Sequence, residues 1–151
     1  MPVRCLLSCF FLFVFTYIKA QDTSIVNRKI VSFCEKNVGK KVGNGECWDL
    51  AKESLNYAGA TWAPPYEYGK TLLKGDVVLP GDVIQFEKVK IVYPDKSWKE
   101  LPHHTAIVYK VISPGKYIIA EQNSNNKKFV VLTEIDLNYV KRGSFTISHP
   151  H

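Results

Sequence analysis

The hydrophobic period of this chain changes once, at Pro80-Gly81-Asp82, and that change sets the class of fold open to it. Upstream, Ser24 is a fitting N-cap for a helix to about Lys36 that Gly39 ends, with Val26, Ile30, Phe33/Cys34 and Val38 on one face. A glycine-rich link, 39–45, leads into a second helix from Cys47 to about Tyr57, closed by Gly59. Its apolar stripe is Leu50, Ala51, Ser54, Leu55 and Ala58, and Cys47 stands one turn earlier on the same side. Downstream, Val83 to Glu87, Thr105 to Ile112, Tyr117 to Gln122, Phe129 to Thr133 and Ser144 to Ser148 have strand composition with short turns between them. The expectation is an α+β domain in which N-terminal helices pack on an antiparallel β-sheet of about five to six strands. Residues 60–80 read as an irregular connection, and Lys88 to Leu101, with Pro94-Asp95-Lys96, as an inserted hairpin or loop.

Residues 1–20 read differently from the rest. Arg4 precedes an almost wholly apolar run from Cys5 to Ile18, and Ala20 lies before a polar stretch, the pattern of a secretory signal peptide. The run is shorter than the roughly 20 residues a spanning helix needs, so an uncleaved anchor is the lesser alternative. This predicts a signal peptide over 1–20, a single domain over 21–151, and a secreted, extracellular monomer with no stable membrane insertion. Excluding residues 1–20 removes Arg4 and Lys19 and no acid, so the net charge falls from +6 to +4. The lysines are dispersed, with no basic stripe or motif for nucleic acid.

Of the four cysteines, Cys34 and Cys47 lie in the domain. In an oxidising compartment a disulfide between them is the structural alternative to any chemistry. The placing of Cys34 on an apolar helix face favours a buried thiol instead.

Cys47, in Gly45-Glu46-Cys47-Trp48-Asp49-Leu50-Ala51, opens a helix, where unsatisfied backbone N–H groups and the helix dipole stabilise a thiolate. His104, in His103-His104-Thr105-Ala106-Ile107-Val108, opens a strand as a candidate base. His103 is its rival, because strand alternation puts the two rings on opposite faces. Glu121 and Asn123 lie two apart at the end of the next strand, and either can orient the imidazole. The set has the parts of nucleophilic acyl chemistry, although the second oxyanion donor beside the Cys47 N–H cannot be named from sequence. Gly43 and Gly45 allow close approach of backbone and substrate. Two adjacent imidazoles point apart on a strand and no further ligand set completes a site, so neither a metal nor another cofactor is expected.

These segments, with Pro-Gly-Asp-Val-Ile-Gln-Phe and Glu-Gln-Asn, resemble over about residues 40–125 the CHAP amidase/endopeptidase branch of the NlpC/P60 cysteine peptidase superfamily. The resemblance implies a papain-like fold with Cys47 as nucleophile, His104 as base, Glu121 as third member and Asn123 as an additional polar partner. The chain is similar in more detail to the cysteine-proteinase-fold domain of fungal cortical actin-patch proteins that contact myosin tails, a domain with no assigned substrate. Two departures from the CHAP pattern stand out, Glu46 before the nucleophile and the insertion over 88–101. The function expected is a secreted cysteine hydrolase cleaving amides through a thioester at Cys47, with a peptide or peptidoglycan-like substrate. The alternatives are a non-catalytic secreted binding module retaining the fold, and acyl transfer to an amine or alcohol.

Overall fold

The computed structural model describes residues 24–151, so the expected signal peptide lies outside the described residues. Helix α1 spans Ile25–Asn37 and α2 spans Cys47–Ala58, both within a residue or two of expectation. The Ser24 hydroxyl accepts the Asn27 N–H at 3.1 Å, satisfying one of the donors that a helix start leaves open. Gly59 ends α2 in the left-handed conformation at φ 74°, which costs glycine nothing because it has no Cβ. At its start, Asp49 Oδ2 accepts the N–H groups of Asn44 (2.8 Å) and Glu46 (3.1 Å) and fixes the loop against the first turn. A Cβ on Gly43 would fall 2.9 Å from Asp49 Cβ, so that glycine makes room for the cap.

Six strands form one antiparallel sheet: β1 (Lys70–Thr71), β2 (Val83–Val92), β3 (Trp98–Ser113), β4 (Lys116–Glu121), β5 (Val131–Asp136) and β6 (Val140–His149). Their order across the sheet is β1-β6-β2-β3-β4-β5. The α+β class and the helix-on-sheet arrangement are therefore as expected. Of the two alternatives for 88–101 the structure shows the hairpin, continuous with β2 and β3 and in register from Val83↔Ile107 to Val92↔Trp98. Burial of Val89, Ile91 and Leu101 accounts for this, since their alternation extends the pleat of β2 and β3 into the core.

The sheet separates two cores. On one face Ile30, Cys34, Leu50 and Leu55 of the helices pack on Val83, Ile107, Ala120 and Val130. On the other, Ile84, Phe86, Ile91, Val108, Ile119 and Ile135 form a second cluster, covered in part by Leu137 of a one-turn 3-10 helix (Leu137–Tyr139). Burying each such side chain is worth about 1.5–3 kcal/mol before conformational entropy is set against it. No helix among the described residues is long and apolar enough to cross a membrane.

Candidate active site

β3 pairs with β4 only from Ala106↔Glu121 onward, whereas its pairing with β2 continues past His103. Above Ala106 one edge of β3 is therefore open, and the N-terminus of α2 fills the gap. Buried Gln122 ties it there: its Nε2 donates to the carbonyls of Val42 (3.0 Å) and Glu46 (2.9 Å), and its Oε1 accepts the Val42 N–H at 2.8 Å. A two-ended amide clamp of this kind leaves little freedom in the loop before Cys47.

Cys47 lies half-buried at this junction, with its sulfur hydrogen-bonded to the His104 side chain and to the backbone of Thr105 and Trp48. His104 is on the face of β3 away from the helical core, stacked on Phe86 at 6.4 Å, and it reaches the sulfur because β4 is missing beside it. Its Nε2 donates to Glu121 Oε2 at 2.8 Å, which leaves Nδ1 for the sulfur. Glu121 is fully buried, and its second oxygen, Oε1, accepts from Lys99 Nζ at 2.7 Å and from the Thr133 hydroxyl.

The electrostatics follow from these contacts. Burial would push the Cys47 thiol up, but the hydrogen bond from His104, those to the Thr105 and Trp48 backbone and the imidazolium charge outweigh it, and the thiol titrates below its ordinary range. Burial would push His104 down; Cys47 and Glu121 together raise it to about 9. Burial opposes ionisation of Glu121 as well, yet His104, Lys99 and Thr133 lower it to about 2. The three shifts run in the direction that favours a thiolate, an imidazolium and a carboxylate in line. Cys34, by contrast, is driven by burial to about 12 and is inert. Both cysteines are free, so the disulfide alternative is not realised.

Of the four residues singled out in the sequence, Cys47, His104 and Glu121 come together and Asn123 does not. β4 ends at Glu121, and Asn123 sits in the left-handed region at φ 58°, so its side chain leaves the shared face. Its Nδ2 donates to Glu46 Oε2 at 2.6 Å, beside an ion pair between Glu46 and Lys128, so it braces the residue before the nucleophile instead of the imidazole. His103 is engaged elsewhere: its Nδ1 faces Glu87 Oε2 at 3.0 Å and its Nε2 the Tyr66 hydroxyl at 2.7 Å.

Sequence reasoning missed Lys99, Thr133, Gln122 and Tyr68. Tyr68 is buried, with its hydroxyl 3.4 Å from Thr105 Oγ1. A polar cleft of about 250 Å³ opens beside His104, lined by Lys99, His103 and the Asn123–Asn126 turn. No cluster of metal-ligating side chains occurs among the described residues.

Three comparisons place this geometry. The family model of the AIM3/BBC1 Cysteine proteinase-fold domain matches residues 21–150. Altered inheritance of mitochondria protein 3 of Debaryomyces hansenii is 33% identical over 140 residues, which cover 76% of this chain and 15% of that protein. The chain thus spans under a sixth of that relative. Among solved structures, the crystal structure of Ly7917 matches with TM-score 0.55 and 18% identity over 82% of this chain and 62% of that one. Ly7917 with the hydrolyzing product of MDP matches with TM-score 0.52 and 17% identity, over 82% of this chain and 63% of that one. At such identity these likenesses show the fold alone. The match to a protein named for the inheritance of mitochondria corrects the secreted, extracellular placement drawn from residues 1–20, because it points to the cell interior.

Proposed function

The chain belongs to the AIM3/BBC1 cysteine proteinase-fold domain family, and from that premise we propose that it is a cysteine-type hydrolase of amide bonds acting through Cys47, His104 and Glu121. The observation that supports this reading is the unbroken hydrogen-bonded line from the Cys47 sulfur through His104 to buried Glu121. The Cys47 thiolate adds to the amide carbonyl carbon, and the carbonyl π pair moves to oxygen. As the tetrahedral species collapses, the amine departs with the proton of the His104 imidazolium, leaving a thioester on Cys47. His104, now neutral, takes a proton from water as the water attacks the thioester, and the acid is released as the Cys47 thiolate leaves, restoring the thiolate and imidazolium. Glu121 holds the ring in place and stabilises its charged form.

The match begins at residue 21, immediately after the apolar stretch, which supports treating 21–151 as one domain. The CHAP resemblance suggests peptide amides as the substrate class, with muramyl peptides as one member to assay. Cys47→Ala should abolish hydrolysis across a panel of peptide and muramyl-peptide amides while leaving the circular dichroism spectrum unchanged. Wild-type turnover in that variant would remove Cys47 as nucleophile.

A second reading is a binding module that retains the fold without turnover. The comparisons support it more directly, since the matched family is described by its fold and the relative by an inheritance phenotype. It predicts a fast-alkylating Cys47 with no hydrolysis of any amide in the panel.

A further inference from the structure

A thiolate that attacks a carbonyl needs two donors where the oxygen becomes negative, and the Cys47 N–H, free of an intrahelical acceptor at the first position of α2, supplies one. The loop carrying Tyr66 and Tyr68 lies against β3 next to the nucleophile, with Tyr66 on His103 and Tyr68 on Thr105, and the Cys47 charge is felt at Tyr68. Tyr68 is only 1% exposed, so its phenol must either find a partner or stand ready for one. Its neighbour within hydrogen-bond reach is Thr105 Oγ1, at a long 3.4 Å. Thr105 gives its own proton to Gln85 Oε1 at 2.6 Å, and Gln85 Nε2 donates in turn to Glu87 Oε1 at 3.0 Å. This relay fixes direction: Thr105 can only accept from Tyr68, and the phenol proton is held weakly by an oxygen already engaged.

Thr105 is also the residue whose backbone hydrogen-bonds the Cys47 sulfur, so the phenol lies one residue from the nucleophile. Tyr66 packs edge-on against Tyr68 at 6.3 Å between ring centroids and is itself pinned to His103 at 2.7 Å, which holds the phenol in place from the solvent side.

We propose that Tyr68 is the second oxyanion donor, its hydroxyl turning from Thr105 to the substrate carbonyl oxygen as Cys47 attacks. This rests on the hydrolase reading above. In the addition step the sulfur–carbon bond forms, the carbonyl π pair becomes the oxyanion lone pair, and the Tyr68 proton is shared without being transferred. Burial and the neighbouring Cys47 charge support a phenol that stays protonated, raising it to about 12. A donor with its proton secured and its native hydrogen bond long gives up little when it swings to a stronger acceptor.

The test separates carbonyl attack from thiolate formation. Alkylation of Cys47 by iodoacetamide proceeds at a saturated carbon and makes no oxyanion, whereas acylation by p-nitrophenyl acetate passes through one. Tyr68→Phe should slow acylation on the order of 100-fold while changing alkylation less than twofold. Unchanged acylation in the variant would overturn the proposal. An equal fall in both rates would also overturn it, by showing that Tyr68 maintains the thiolate or the fold. If the wild-type sulfur alkylates no faster than an ordinary thiol, the hydrolase reading itself fails and the Tyr68 assignment falls with it.

Discussion

Among the described residues two histidines are held on fully buried carboxylates, and only one of these pairs is part of a candidate catalytic site. His104 Nε2 lies 2.8 Å from Glu121 Oε2, and His149 Nδ1 lies 2.7 Å from Asp82 Oδ1; both carboxylates are fully buried. Geometry alone does not distinguish them. Charge does. Glu121 faces His104 and Lys99, with Thr133 as a further donor, and is lowered to about 2. Asp82 accepts from the Leu79 N–H (2.8 Å) and the Asn27 amide (3.0 Å) along with His149, and burial outweighs all of these and raises it. The first pair is a source of fixed negative charge that supports an imidazolium, and a sulfur hydrogen-bonds the other side of that ring. The second ties α1, the turn before β2 and the end of β6 together, with Asn27 also donating to the Pro80 carbonyl at 2.9 Å. A histidine on a buried acid is thus a structural joint unless a nucleophile and a compensating cation complete it.

The sharpest way to break this contrast is to remove one charge from each pair. Glu121→Gln should reduce amide hydrolysis on the order of 100-fold or more, because the imidazolium loses its counter-charge and one amide oxygen cannot serve both His104 and the donors Lys99 and Thr133. Asp82→Asn should change hydrolysis less than threefold and instead cost about 1–3 kcal/mol of stability, since the new amide opposes the Leu79 N–H. Parallel rate assays and thermal melts would expose the reverse pattern, in which case the two pairs have been assigned to the wrong roles.

Lys99 sharpens the comparison by a smaller step. Its side chain, 19% exposed, is the cation that the Asp82 pair lacks. Removing it in Lys99→Met takes away a positive charge and leaves the negative charge of Glu121 less compensated, and both changes destabilise the Cys47 thiolate. The thiol titration should move up, so that alkylation at pH 6 falls roughly tenfold while alkylation at pH 9 changes little. His104 should move up in parallel, extending the ion-paired range beyond its present upper limit of about 9. A profile identical to the wild type would show that Lys99 has no electrostatic hold on the site.

The contrast also explains what could be read from residue order. Helix boundaries were legible because Ser24 and Gly59 carry their reasons locally, in a side-chain acceptor and a left-handed φ. Cys47 was legible because it opens α2, and His104 because it precedes the apolar run Ala106–Val108, although β3 begins six residues earlier at Trp98. Lys99 was not, since nothing in the order of residues distinguishes a lysine aimed at a buried acid 22 positions away from the many that face solvent. Tyr68 was hidden in the same way by a proline-rich connection with no period. For 88–101 residue order left hairpin and loop open because Pro94-Asp95-Lys96 dominates it; the structure makes it a hairpin, and Val89 and Ile91 carry the period-2 signal that continues the strand.

The choice between Glu121 and Asn123 was undecidable from sequence because alternation puts both on one face, and the smallest predicted effect tests how the structure resolves it. Asn123 has φ 58°, which alanine tolerates poorly, so Asn123→Ala would mix backbone strain with loss of the side chain. Asn123→Gly keeps the conformation and deletes only the bond to Glu46. Glu46 is half-exposed and retains its ion pair with Lys128, an interaction worth at most about 1 kcal/mol on the surface. A brace acting on that residue, one step removed from the sulfur, should cost hydrolysis less than threefold and leave the pH profile of Cys47 alkylation in place. A loss approaching that of Glu121→Gln, with a displaced profile, would instead make Asn123 an orienter of His104 during turnover and return the third position of the site to open choice.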